Sequence, residues 1–513
     1  MPSGDTEPLM KARHFSLCRE MSFRQASGNL APATSQDMPS AICTVHAAFW
    51  LTVVAGIAVA IVDIVVMKTI WAMIVALCAP LIFVVIFGIL VLLPPRCGCI
   101  GFSGSLQISL IQHPDYVFTR LTMPIFNFMQ GMELCDNAFC QRARASVGKN
   151  YVYAGMVSIS EWQIVKKTLT SGQARTTYLG AQPLANTPKV DRSVFLLELQ
   201  NLDKDDNHDG FRDCFYHYMF REGFQERVDS ANSKKLWEQL AEDYKTMPHG
   251  VGDLFFTEND KGLRGFLIKY FFYVMLDIDA NDPEVMKTLV KLMGGDTAIA
   301  LAYLWPFAGH NQSAIKAVDD LIFGSSVMGK FKEGEEKFKK MTKLELTRLS
   351  TCIFRLAAVT GTLQLAKTIT GGLSMPPFED MDKIDVAAEW DKLDLGDDSA
   401  LENFILEVGR LFPPVSSVHH IATEPFSVTI QGKTVDFPTG TKILVPTNLA
   451  MTDKEVWGVD AFKFNPNRPG LQENSMVFAN VGPLGSRVCP GMRIAMDTCM
   501  GVLSVLGKIR RGS

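Results

Sequence analysis

The sequence is short of cysteine, histidine and excess positive charge. Its 513 residues include 11 cysteines and 9 histidines, and the formal net charge is −4. Without a basic excess to neutralise phosphates, the composition argues against nucleic acid as a partner. The cysteines are scattered and odd in number, which excludes a disulfide scaffold and favours a reducing compartment. No histidine falls into a zinc-like cluster with cysteine.

Charge is also scarce in one long segment near the N-terminus. A bilayer span needs about 20 apolar helical residues, so the segment 45–93 predicts a membrane anchor with one or two transmembrane helices. Residues 1–44 mix Ser, Pro and Gly with balanced charges and predict a disordered tail. The charged residues and histidines of the anchor segment are His46, Asp63 and Lys68.

The remainder, residues 100–513, predicts a mainly α-helical fold with a minor β-sheet. Helical patterns with charged faces dominate from residue 108 to residue 410. After residue 424 the chain changes to short alternating segments separated by Gly and Pro, which are typical of strands. The predicted strands are Phe426–Gln431, Lys433–Phe437 and Lys442–Val445.

The segment Gly485–Gly491 (Gly-Ser-Arg-Val-Cys-Pro-Gly) is the strongest chemical signal. A thiolate on iron needs a tight loop that donates backbone N–H hydrogen bonds to the sulfur and shields it from water. Cys489 is the candidate ligand, the two terminal glycines allow close approach to a flat macrocycle, and Arg487 offers a cation to a heme propionate. The predicted helix Met492–Leu506 favours a thiolate just before its N-terminus. Taken alone, the motif equally fits a buried cysteine in a glycine-rich turn.

Two further motifs precede this loop. In Glu407–Arg410 (Glu-Val-Gly-Arg), the i, i+3 spacing places a carboxylate and a guanidinium on one helix face. The segment Phe464–Arg468 (Phe-Asn-Pro-Asn-Arg) follows. With the motifs in this order, the chain resembles the cytochrome P450 family, in which a Glu-x-x-Arg helix pairs with an arginine from a Phe-x-Pro-x-Arg-like segment. The resemblance implies a P450-like fold behind the anchor, a heme b cofactor whose iron is bound by Cys489, and a structural network of Glu407, Arg410 and Arg468.

The resemblance implies further heme contacts. His208 and Arg212 lie four residues apart, so both can reach one anionic group, like the family's His-x-x-x-Arg pair at the propionates. His420 stands where the family usually has an arginine, and it is a weaker, pH-dependent partner for a propionate. The family's phenylalanine seven residues before the cysteine is replaced by Gly482, so the wall beside the heme must be built differently, with Phe478 as a candidate.

A further departure concerns the reaction. Oxygen-activating members carry an acid followed by a threonine on the long helix over the heme, and this pair delivers protons to dioxygen. The segments 308–313 and 346–370 compete for this helix, and the second is preferred because it lies nearer Glu407, as in the family. It offers Thr362 as the catalytic alcohol but Gly361 in the acid position. In either placement the acid is absent.

The family resemblance implies a monooxygenase that oxidises a lipophilic, lipid-like small molecule with electrons from an NADPH-dependent reductase. Two alternatives are open, the first of them because the acid is missing. One is an enzyme that rearranges or cleaves fatty-acid hydroperoxides, similar to allene oxide synthases and hydroperoxide lyases. The other is a non-catalytic heme-binding protein. The anchor predicts location in the endoplasmic reticulum or another internal membrane, with the heme domain facing the cytosol.

Overall fold

The structure is a computed structural model. The predicted tail (1–44) and membrane anchor (45–93) lie outside the residues that it describes. Among the helices that it does describe, none is long and apolar enough to cross a membrane. The described residues are 148–153, 156–170, 174–176, 208–221, 223–247, 249, 253–293, 312–338, 340–372, 384–415, 418–422, 424–430, 432–478 and 489–512.

The described part of the chain is mainly helical with small sheets, which confirms the predicted mainly α-helical fold with a minor β-sheet. A 3₁₀ turn covers Glu336–Phe338 and a π-helical segment covers Phe354–Val359. The α-helices are α1 (Trp162–Thr170), α2 (His208–Phe220), α3 (Phe224–Val228), α4 (Ala231–Thr246), α5 (Leu254–Thr257), α6 (Gly262–Leu276), α7 (Pro283–Met293), α8 (Gln312–Phe323), α9 (Ser326–Gly329), α10 (Lys343–Ile353), α11 (Thr360–Ile369), α12 (Val386–Asp391), α13 (Asp398–Leu411), α14 (Thr447–Ala450), α15 (Lys454–Trp457), α16 (Leu471–Asn474) and α17 (Met492–Arg510).

The strands form antiparallel pairs of short segments. In register, β1 pairs with β2 (Tyr151 opposite Ser158), β3 with β4 (Thr176 opposite His420) and β5 with β6 (Val428 opposite Val435). The strands predicted after residue 424 are present, with β5 ending at Ile430. The strands are β1 (Asn150–Tyr153), β2 (Met156–Ile159), β3 (Ala174–Thr176), β4 (Val418–Ala422), β5 (Phe426–Ile430), β6 (Lys433–Phe437) and β7 (Lys442–Val445).

The chain divides into two compact units. One contains Ser160–Thr423 and Leu444–Ser513, and therefore holds every described α-helix. The other contains Glu424–Ile443 together with the described residues up to Ile159. In this second unit, the Asn150 side chain donates to the carbonyl oxygen of Thr429 at 3.2 Å, which links β1 to β5.

A group of helices around α6 forms the core of the larger unit. The sequence of α6 is apolar on all sides, and such a helix must be buried. It packs against α4, α5 and α11, while α17 packs against α4, α11 and α13. Gly262 begins α6 with φ +58°, and a Cβ there would lie 2.3 Å from the carbonyl oxygen of Phe255, so only glycine fits.

One long helical segment combines α10, the π-helical segment and α11. It begins with a capping box, in which the Thr342 hydroxyl accepts from the Glu345 N–H and the Glu345 carboxylate accepts from the Thr342 N–H. In its middle, the Thr360 hydroxyl donates to the carbonyl oxygen of Arg355, five residues earlier, at 2.8 Å. Such π-helical turns are rare and are frequently found at functional sites.

Candidate functional site

Cys489 is held at the start of α17. Its backbone N–H donates to the carbonyl oxygen of Phe478 at 2.9 Å, and its own carbonyl oxygen accepts from the N–H of Met492 at 3.1 Å. Burial raises the pKa of the thiol, while the N–H of Gly491, the charge of Arg212 and the N–H of Met492 act in the opposite direction. The loop therefore offers the sulfur the hydrogen-bond donors that a thiolate requires.

Helix α2 brings a cation close to this sulfur. The charge of Arg212 acts on Cys489, and its guanidinium carbon lies 5.4 Å from the centre of the Tyr216 ring. Burial raises the pKa of Tyr216, and Cys489 raises it further, whereas Arg212 lowers it. Sequence reasoning identified Arg212 but missed Tyr216, although its position one helical turn later was a usable signal. His208 is the first residue of α2, and its side chain lies outside the described residues.

Glu407 and Arg410 form a buried ion pair on α13. Both side chains have 0% exposure, and the Arg410 Nε and Nη2 atoms donate to the two carboxylate oxygens at 2.7 and 2.8 Å. Arg410 Nη1 donates to the carbonyl oxygens of Met451 and Ala461 at 2.8 and 2.7 Å, so its charge is surrounded by acceptors. The Glu407 carboxylate also accepts from the N–H of Asn465 at 2.9 Å. The pair thereby connects α13 to the segments before and after α15.

Arg468 completes the same network. Its Nε lies 3.6 Å from a carboxylate oxygen of Glu407. Its Nη1 donates to the carbonyl oxygen of Trp457 and to the Asp460 carboxylate, both at 2.9 Å. This bond to Arg468 holds the pKa of Asp460 below its usual range. The structure thus brings together the residues of two motifs that lie about sixty positions apart in the sequence.

A glycine links this network to the cysteine loop. Gly409 stands between Glu407 and Arg410, and a Cβ there would lie 2.9 Å from both methyl carbons of Val477. Because real Cβ atoms essentially never come this close, the missing side chain lets the 475–478 segment lie against α13. The next residue, Phe478, is buried and accepts the N–H of Cys489.

Other predicted contacts are only partly described. His420 lies on β4, but its side chain is outside the described residues, as are Gly482, Gly485 and Arg487. Their predicted roles at a propionate and beside the sulfur therefore stay predictions. Gly491 has φ −90°, a conformation that other residues adopt, so backbone strain does not explain its presence.

Thr362 lies on the packed side of α11. Its side chain is 4% exposed, and the neighbouring Leu363 and Ala366 are fully buried. Helix α11 packs against α13 and α17, so the predicted alcohol belongs to the same helical group as Cys489 and Glu407. Its catalytic role stays a prediction. Thr360 and Gly361 are partly exposed.

The family model matches the C-terminal part of the chain. Residues 394–505 match the family model for cytochrome P450. Cytochrome P450 709B1 of Arabidopsis thaliana is 33% identical over 109 residues, which are 20% of this chain and 20% of that protein. Cytochrome P450 monooxygenase claO of Ampulloclitocybe clavipes is 35% identical over 123 residues, 21% of this chain and 23% of that protein. The matches therefore span about a fifth of the length of these curated relatives.

The matched region contains Glu407, Arg410, Arg468 and Cys489, but neither α2 nor α11. Among solved structures, the substrate-free cytochrome P450 CYP150A6 of Mycobacterium marinum aligns with a TM-score of 0.47 and 16% identity. That alignment covers 79% of this chain and 86% of the other.

Proposed function

The chain belongs to the cytochrome P450 family, whose members bind heme iron, and on that premise we propose that it is a heme-thiolate oxidoreductase with Cys489 as the iron ligand. The observation that carries this proposal is the setting of the sulfur. It lies at the N-terminus of α17, close to the N–H groups of Gly491 and Met492 and within the field of Arg212. These groups favour the thiolate and act against burial, which raises the pKa of the thiol.

The residues around Cys489 fit a heme. Apart from its chain neighbours, a Cβ placed on Gly491 would meet, among the described residues, only the Cys489 sulfur, at 3.9 Å. A flat group can therefore approach the sulfur on this side. Arg212 would pair with a propionate, together with the predicted contacts from His208, His420 and Arg487. When bound, heme supplies one-electron and oxygen chemistry, and thiolate ligation favours cleavage of an O–O bond.

We propose a monooxygenase activity on a lipophilic, lipid-like substrate. The curated relative claO is named a monooxygenase, and the family match includes the cysteine loop of this chain. A second candidate is the conversion of fatty-acid hydroperoxides. The middle of the long helical segment, residues 357–364, reads Ala-Ala-Val-Thr-Gly-Thr-Leu-Gln. This stretch favours the second candidate because it contains no carboxylic acid to relay protons.

We also propose that the protein is anchored in a membrane. Residues 45–93 would hold the protein in the endoplasmic reticulum or another internal membrane, with the heme domain in the cytosol. A lipophilic substrate would then arrive from the bilayer, and an NADPH-dependent reductase would supply electrons. The apolar sequence of the segment supports this part of the proposal.

Cys489→Ala tests the ligand directly. The reduced wild-type protein with carbon monoxide is expected to show the red-shifted absorption band of thiolate ligation, and Cys489→Ala to lack it. Cys499→Ala is the matched control, because Cys499 is buried on the same helix α17 and has no predicted ligand role. A red-shifted band that survives in Cys489→Ala would show that another residue binds the iron.

A further inference from the structure

A row of aromatic rings begins beside Arg212 and follows one face of α2. Tyr216 and Phe220 come at successive intervals of four residues, which is the spacing of one helix face. The Arg212 guanidinium carbon lies 5.4 Å from the centre of the Tyr216 ring, and the Tyr216 and Phe220 ring centres are 5.5 Å apart. Phe220 also contacts the rings of Phe215 and Phe224, at 5.7 and 5.5 Å. The Tyr216 ring is therefore packed on one side and contacts Arg212 on the other.

Tyr216 contacts Arg212 in two ways. Its phenol oxygen accepts a hydrogen bond from Arg212. The guanidinium also lies within the roughly 6 Å of the ring centre at which a cation–π interaction forms. A long side chain such as arginine loses rotamer freedom when it binds an anion, and this loss weakens the binding. A neighbour that already restricts the guanidinium removes part of that loss, so Tyr216 prepares Arg212 for an anion.

The pair lies close to the proposed iron ligand, because the charge of Cys489 and the charge of Arg212 both act across the space that separates α2 from the cysteine loop. We propose that Tyr216 is a positioning residue, which holds the Arg212 guanidinium where it pairs with a carboxylate of the cofactor bound at Cys489. The inference rests on the proposed function, in which this carboxylate is a heme propionate. Tyr216 acts through Arg212 and takes no part in the reaction.

The test is a double-mutant cycle on heme retention. Heme loss from the holoprotein is measured as transfer to an excess of apomyoglobin, which requires no turnover. Tyr216→Phe keeps the ring and removes the phenol oxygen, so heme loss should become about 2- to 10-fold faster, the range that corresponds to one hydrogen bond. Tyr216→Leu also removes the ring contact and should accelerate the loss further. In an Arg212→Leu background, Tyr216→Phe should have no effect, because the residue through which Tyr216 acts is absent.

Tyr244 provides a matched control because its phenol oxygen also accepts a hydrogen bond from an arginine, Arg510. Arg510 ends α17, about 27 Å along the helix from Met492, at a rise of 1.5 Å per residue. Tyr244→Phe should therefore leave heme loss unchanged. The heme midpoint potential is a second measurement. A nearby cation favours the reduced form, so Arg212→Leu should lower the potential and Tyr216→Phe should lower it by a smaller amount.

The outcomes separate this inference from the proposed function. Equal acceleration of heme loss by Tyr216→Phe in both backgrounds would show that Tyr216 only supports the fold, and unchanged heme loss would show that it does not act on Arg212; either result overturns the inference. If Arg212→Leu retains no heme, Arg212→Lys replaces it, since lysine keeps a charge but lacks the planar guanidinium. An effect of Tyr216→Phe as large there as in the wild type again overturns the inference.

Bound heme without the red-shifted carbon monoxide band overturns the thiolate proposal alone, since heme loss still measures the effect of Tyr216. A protein that binds no heme overturns both.

Discussion

The carbonyl oxygen of Phe478 accepts the backbone N–H of Cys489 at 2.9 Å. Phe478 directly follows Val477, which fills the space above Gly409 on α13. The helix that carries Glu407 and Arg410 is therefore connected to the cysteine loop by two successive contacts. Through these contacts, the buried ion pair would help to position Cys489, the proposed iron ligand.

Gly409→Ala should displace the 475–478 segment and with it Cys489. Overpacking of this kind costs typically 1–3 kcal/mol, partly offset by about 1 kcal/mol from the higher helix propensity of alanine. We expect a net loss of unfolding free energy in urea and a lower heme content. Val477→Ala removes the two clashing methyl carbons, so Gly409→Ala should be tolerated in that background. Equal losses in both backgrounds would contradict the contact.

Glu407→Gln should destabilise the protein strongly. It leaves the buried guanidinium of Arg410 without its counter-charge, and breaking a buried pair in this way costs about 3–5 kcal/mol. The measurement is the yield of folded protein and its urea denaturation. The control is Asp497→Asn, which removes the exposed partner of Arg493 and should change stability by less than about 1 kcal/mol. Normal stability and heme content with slowed turnover would instead indicate a chemical role.

The relation between Glu407 and Arg410 could be predicted because i, i+3 spacing on a helix determines which side chains meet. The contributions of Gly409, Tyr216 and Phe478 could not. Each depends on a contact with a residue far away in the sequence, and nothing in local spacing shows which segments come together. Arg468 was identified through family resemblance, and the structure supplies its actual partners, the carbonyl oxygens and the carboxylates of Asp460 and Glu407.

The sequence also could not predict which residues in the middle of the long helical segment are exposed. The π-helical segment Phe354–Val359 contains more residues per turn than an α-helix, so it rotates every later residue relative to the earlier ones. A helical pattern with 3.6 residues per turn cannot show this rotation. The sequence predicted a helix here and Thr362 as its catalytic alcohol, a role that stays a prediction, whereas only the structure shows that Thr360 is partly exposed and Thr362 is buried.

Asp319 should make stability depend on pH. Burial raises the pKa of this carboxyl, which accepts from the Thr351 hydroxyl at 2.5 Å, and Thr351 and Arg348 act in the opposite direction. The folded protein therefore holds the proton more tightly than the unfolded chain. Its contribution to stability is present at low pH and is lost as pH rises through the folded-state pKa.

When the pH rises from about 4 to about 7, the unfolding free energy of Asp319→Asn should therefore fall less than that of the wild type. Urea denaturation at the two pH values measures this difference. Asp497→Asn is the control, because the Asp497 carboxylate is exposed, pairs with Arg493 at 3.0 Å and does not act on Asp319. An unchanged pH dependence in Asp319→Asn would show that other groups dominate.

The segment 45–93 should retain the protein in membranes during a carbonate wash. Its near-absence of charge over more than one bilayer span is the reason. Deletion of 45–93 should release the protein into the soluble fraction, whereas deletion of 1–44 should not. Release of the full-length chain by carbonate would contradict the anchor.

The enzyme should use the oxygen of a hydroperoxide more efficiently than it activates dioxygen. Reductive cleavage of dioxygen needs two protons at the distal oxygen, usually delivered by a carboxylic acid beside a hydroxyl. Residues 357–364 contain no carboxylic acid, and the Thr360 hydroxyl is hydrogen-bonded to the carbonyl oxygen of Arg355. In a lipid hydroperoxide the oxygen is already at the peroxide oxidation level, so only the O–O bond remains to be cleaved.

With an added reductase, much of the electron flow should therefore reduce dioxygen to hydrogen peroxide, with two electrons and two protons for each molecule released. Hydroperoxides should be consumed without any reductant. The measurement is product formed per electron, with and without hydroperoxide. Thr360→Asp places a carboxylic acid on the partly exposed side of the long helix and should raise the product per electron on dioxygen, while Thr362→Asp, at a buried position, should not. Tight coupling of the wild type on dioxygen, together with inertness toward hydroperoxides, would show that ordered water or another group delivers the protons.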